Sequence, residues 1–121
     1  MPRIPIFAKR FNVKRSKINL ARSEFTREQQ QLDLETNINQ AYNDAEGAAT
    51  FYEAAKETVE AREITYTNAQ KRFNAGVLDS FNFSQIKQRY EAAVSDEVRA
   101  KYDYIFKLKV LEFYFGIPLE F

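Results

Sequence analysis

The chain has 121 residues, 45% hydrophobic and 29% charged, with 18 Lys+Arg against 17 Asp+Glu, and contains neither Cys nor His. That length suffices for one small domain, and the composition excludes disulfide scaffolds, thiol redox chemistry, Cys/His zinc sites and His-dependent acid–base catalysis. No stretch of about 18 uncharged apolar residues exists, so no transmembrane helix is expected, and the basic first 22 residues are not followed by the apolar run of a secretory signal.

Residues 1–13 hold two of the three prolines, Pro2 and Pro5, and the first helix is expected from about Lys14. From there to Asn74 the only helix-weakening residue is Gly47. Stepping alternately four and three residues from Leu34 to Phe73 meets apolar or aromatic side chains at eleven of twelve positions, Arg62 being the exception. A 3.5-residue period of this kind is a coiled-coil seam. The small seam residues Ala41, Ala45, Ala48 and Ala55 allow helix axes to approach closely.

Residues 75–81, Ala-Gly-Val-Leu-Asp-Ser-Phe, read as a turn. Asn82, with Gln85 three residues on, then reads as the N-cap of a second helix. Its seam runs from Phe83 through Tyr90, Ala93, Ala100 and Leu111 to Tyr114, with Glu97 and Lys107 as the two polar interruptions. Val94, Val98, Ile105 and Leu108 widen the apolar stripe beyond what one neighbour covers. Gly116 followed by Pro118 predicts a stop near Phe115, leaving 116–121 as a tail. The predicted fold is all-α, a long antiparallel coiled-coil helical hairpin.

The predicted helix lengths are unequal, roughly 90 Å for 14–74 against roughly 50 Å for 82–115. Ile18, Leu20, Phe25 and Leu32 therefore need cover from another copy or from further polypeptide. Charge is segregated: residues 1–22 carry seven bases and no acid, and residues 23–63 carry ten acids and three bases. The basic start reads either as a solvated helix end or as a contact for phosphate, from a membrane surface or nucleic acid. A pI near 7.9 and the acidic middle speak against nucleic acid as a partner. Glu53, Glu57 and Glu60 sit at helix-surface spacing, where solvation and i,i+4 pairing account for them, so no catalytic residue, metal ligand or cofactor is assigned.

The stretch from Arg72 to Phe83, with Gln88–Ala93 and Ala100–Tyr104 after it, resembles the TolC-like outer membrane efflux protein family. Ile4–Phe7 and Lys14–Leu20 resemble the place where that family's last barrel strand enters a long periplasmic helix, which implies that residues 1–13 are a short extended remnant of that strand and a linker, and Gln40–Asp44 and Tyr52–Ala55 resemble the interior of that helix. The resemblance covers nearly the whole chain, in order. It implies a fragment of an outer membrane channel component of a tripartite efflux or type I secretion system, located on the periplasmic side of a Gram-negative outer membrane.

The partners it implies are further copies, three in the intact family protein, a periplasmic membrane-fusion adaptor and, indirectly, an inner-membrane pump. It implies an adaptor-binding tip at Ala75, Gly76, Val77 and Leu78, and tunnel-constriction candidates at Phe73, Asn82 and Gln85. Asn82, Gln85 and Leu78 stand where well-known members carry two aspartates and an arginine, so the resemblance brings no acidic ring to the tunnel mouth. Phe73 lies on the seam and is also a core candidate. The alternative is a free-standing, self-associating coiled-coil interaction protein with no transport role.

Overall fold

The computed structural model describes residues 3–117 and Glu120, with side chains described from Phe7 onward. The described residues form two helices, α1 (Arg3–Asn74) and α2 (Ser80–Tyr114), and no strand occurs among them. Residues Met1–Asn39 and Gln40–Phe121 form two separate compact units.

In the first unit the expected extended start is corrected: residues 3–13 are the opening turns of α1. Pro5 is the third helical residue. The first four backbone N–H groups of a helix have no partner within it, so a proline there forfeits no hydrogen bond, and its fixed φ suits the helix. No breaker follows before Gly47. The basic residues near this end oppose the helix dipole, but that costs only some tenths of a kcal/mol to about 1 kcal/mol at an exposed site, too little to end a helix that nothing else interrupts. Within this unit every described side chain except Ile38 is exposed.

The second unit is the predicted all-α hairpin, and its core is the seam. From Ile38 to Ala69 every seam position of α1 except Arg62 is buried or half-buried, as is every seam position of α2 from Phe83 to Tyr114. The fully buried residues among those described are six alanines: Ala41, Ala45, Ala48, Ala69, Ala93 and Ala100. Small side chains give up little area, so the larger contacts come from aromatic rings stacked across the pair. Phe73 lies on Phe83 with centroids 4.5 Å apart, Tyr66 on Tyr90 at 5.2 Å, and Tyr52 on Tyr104 at 6.3 Å.

These pairs are five, twelve and twenty-six residues to either side of Leu78. One register therefore holds along the hairpin, each residue of α1 facing the residue equally far from Leu78 in α2. It sets Ala45 opposite Leu111 and Ala55 opposite Lys101, next to the buried Ala100. Surface ion pairs are local to one helix, such as Lys56–Glu53 at 3.1 Å and Lys107–Asp103 at 2.9 Å, and pairs of this kind contribute little. The Glu53 carboxylate, hydrogen-bonded to the Lys56 ammonium, raises that lysine's pKa above the ordinary value, and the ammonium also sits 5.0 Å from the Tyr52 ring centroid.

Gly47 lies inside α1, and a Cβ there would meet no atom within 4 Å. Gly47→Ala is expected to stabilise the chain by about 0.5–1 kcal/mol, the helix-propensity difference, read as a raised urea midpoint. An unchanged or lowered midpoint would show that helix propensity at this position does not limit the stability of the fold.

Candidate functional site

The turn between the helices is built by backbone chemistry. Gly76 has φ +76, the left-handed region that favours glycine. Its N–H donates to the Phe73 carbonyl and that of Val77 to the Arg72 carbonyl, each at 3.0 Å. This is a Schellman closure, which satisfies carbonyls that a helix end leaves free. The same closure ends α2, where Gly116 (φ +72) donates to Phe113 at 3.0 Å and Ile117 to Glu112 at 3.1 Å.

The start of α2 corrects the expected cap. The N-cap is Asp79, with extended backbone (φ −74, ψ 157), and Asn82 lies inside the helix. The Asp79 side chain makes no capping hydrogen bond to the backbone; its Oδ1 accepts from Asn82 Nδ2 at 2.6 Å. The turn accordingly spans 75–79 and α2 begins two residues before the expected start. Asn82 takes part in closing the helix end from the other side of the bond, as donor to the cap.

At the tip, Val77 is 66% exposed, Leu78 is half-buried, and space around a Cβ at Gly76 is open to 4 Å. Ala75 and Gly76 are exposed as well. The tip therefore offers backbone and one aliphatic side chain to solvent on a base fastened by the Phe73–Phe83 stack. Of the constriction candidates, Phe73 is spent partly on that stack, Asn82 binds Asp79, and Gln85 is exposed on α2 beside a shallow surface depression shared with Gln88, Arg89 and Ala92.

Spacing had shown the seam but not its aromatic ladder, although Tyr66 and Phe73 on one side and Phe83 and Tyr90 on the other are each seven residues apart. That matched spacing around a turn was the available signal. A groove of about 390 Å³ elsewhere on the hairpin is lined by Phe51, Ala55, Thr58 and Ala93, with Asp96 and Arg99 at its rim. Among the described residues no group of three or more acidic side chains is placed to hold a metal ion, and no helix is long and apolar enough to cross a membrane.

Fold and tip together define an antiparallel helical hairpin with a glycine-closed, solvent-exposed end. A protein-family model described as outer membrane efflux protein matches residues 3–116, and the chain belongs to that family. Membership makes it an outer membrane efflux channel component, from a family of transport proteins and not of enzymes. A search of curated proteins finds no match, and a search of solved structures finds none.

Proposed function

We propose that this chain is part of a longer channel protomer, that its hairpin forms part of the wall of a periplasmic tunnel built from several copies, and that the tip at Ala75, Gly76, Val77 and Leu78 docks a periplasmic membrane-fusion adaptor. The carrying observation is the tip itself. A Schellman turn at Gly76 holds the backbone reversed, leaves the space beside it open and presents Val77 to solvent. Such a surface suits insertion of a partner helix: the close approach is to backbone, and an exposed aliphatic side chain supplies the apolar contact.

Exposure elsewhere supports assembly. Among the described residues twenty large apolar side chains are exposed, from Phe7 to Ile117, far more than isolated surface residues account for. In this reading Phe73, Asn82 and Gln85 line the tunnel near its mouth without an acidic ring. The channel is a passive conduit whose energy comes from an inner-membrane pump.

The test is binding of the chain to the helical hairpin of a candidate adaptor, measured by titration calorimetry. Val77→Asp places a charge on the exposed tip with no backbone strain, and Gly76→Asp adds the strain of a side chain at positive φ. Both are expected to weaken binding by at least about tenfold, the scale of losing a central apolar anchor, with helix content by circular dichroism unchanged for Val77→Asp. Adaptor binding that survives Val77→Asp at full strength would place docking elsewhere.

A further inference from the structure

The first unit sorts its charge along the helix axis. Residues 7–22 hold six bases and no acid, while residues 23–39 hold four acids and one base. The six bases, Lys9, Arg10, Lys14, Arg15, Lys17 and Arg22, are all exposed and spread around about two-thirds of the circumference of α1. Among the described residues none of them makes an ion pair. Apolar side chains stand between them: Phe7, Phe11, Val13, Ile18 and Leu20 are each 53–67% exposed. Lys9, Arg10, Lys14 and Lys17 line an open cleft of about 630 Å³ that has Phe7 and Phe11 in its wall.

We propose that residues 7–17 of α1 meet an anionic phospholipid surface end-on, with Phe7 and Phe11 at the level of the headgroups and the bases on lipid phosphates. Bases mixed with exposed aromatic and aliphatic side chains match such an interface, which is charged at its face and apolar beneath.

The axial sorting fixes the direction of approach. A helix lying in the membrane plane separates its apolar and basic residues around its circumference, whereas here the sign of the charge changes with distance from one end. The first acid, Glu24, stands about 25 Å along the axis from Phe7, some three Debye lengths at physiological salt, so the acidic part is not repelled. Side chains of an α-helix tilt toward its N-terminus, which aims the long bases at the surface.

A nucleic acid backbone fits less well, because Val13, Ile18 and Leu20 would find only sugar and phosphate beside them. A second copy standing in the same direction sets bases beside bases. A tunnel of such copies collects them at one level, and lipid phosphates relieve that repulsion. The inference goes beyond adaptor docking and does not depend on it, because no tip residue takes part.

The experiment is co-sedimentation of the 121-residue chain with vesicles of phosphatidylglycerol mixed into phosphatidylcholine, and with phosphatidylcholine alone. Binding is expected to the mixed vesicles only, and to weaken at least about tenfold as salt rises from about 0.1 M to about 1 M. Combining Lys9→Gln, Arg10→Gln and Lys14→Gln should weaken it about fivefold per base, about a hundredfold in all. Combining Lys71→Gln, Arg72→Gln and Arg89→Gln, the same change of net charge at exposed sites near the turn, should leave it unchanged.

The chain lacks cysteine, so a single introduced thiol carries an environment-sensitive fluorophore without ambiguity. On the mixed vesicles the label at Ala8→Cys should shift to the blue and the label at Gln29→Cys should not. The proposal is overturned by equal binding to neutral vesicles, by equal losses in the two triple variants, by blue shifts at both labels, the mark of a helix lying flat, or by tighter binding to duplex DNA than to the mixed vesicles at the same salt.

Discussion

Tyr66→Ala is expected to destabilise the hairpin by about 2–3 kcal/mol, somewhat less than the roughly 3–5 kcal/mol of a fully buried aromatic truncation. Tyr66 is half-buried and its ring is the shared member of two stacks, 5.2 Å from Tyr90 and 6.0 Å from Phe83. Aromatic pairs of this geometry are worth roughly 0.5–1.5 kcal/mol each beyond the area they remove from water.

Tyr66→Phe separates ring from hydroxyl. The hydroxyl accepts only a 3.3 Å hydrogen bond from Gln70 Nε2 at an exposed site, so Tyr66→Phe should change stability by less than about 0.5 kcal/mol. Denaturant unfolding at fixed chain concentration measures both, the concentration being held because any association stabilises the folded form. Equal losses for Tyr66→Phe and Tyr66→Ala would show that the ladder contributes through its polar ends and not its faces.

The second large effect is at a buried small residue of α2. Ala100 is 3% exposed and lies within one residue of the position facing Ala55, so a larger side chain there has to enter the packed interface. Ala100→Leu adds three heavy atoms there and is expected to cost about 1–3 kcal/mol through displaced backbone and forced rotamers. Ala92→Leu, next in sequence to the buried Ala93 but exposed to solvent, should fall within about 0.5 kcal/mol of the parent. A thermal melt that drops for Ala100→Leu and stays level for Ala92→Leu is the expected pattern. If both leave it level, the two helices are held further apart than the register implies.

Legibility in the sequence followed the range of the forces. Gly76 and Gly116 end the two helices because a left-handed residue after a helix is a local requirement, and each can be found without reference to any other part of the chain. The seam was legible for a related reason. Burial repeats along the helix, and its phase from Ile38 to Ala69 and from Phe83 to Tyr114 emerges from spacing alone.

The start of α1 was not legible because Pro2 and Pro5 are compatible with either an extended segment or a helix's first turn, and the choice is made by the uninterrupted helix that follows. Asn82 looked like a cap because residue type and the Gln three positions on both fit one. Asp79 is equally suited by type, and its position directly after the turn made it the cap. At the tip, the sequence marked Ala75–Leu78 as a turn, but only the fold shows that Val77 stands clear while Leu78 turns inward.

By itself, then, the sequence determined how many helices form, where each stops and which face each buries, since periodicity and turn chemistry act within a few residues. Only the tertiary structure decided the register. Which aromatic lies on which depends on both helices and the turn length together, and a change of one residue in the turn would move every pair out of step. The same distinction applies to the exposed apolar residues of the first unit: their spacing is written in the chain, while their lack of cover becomes visible only when every other side chain has been placed.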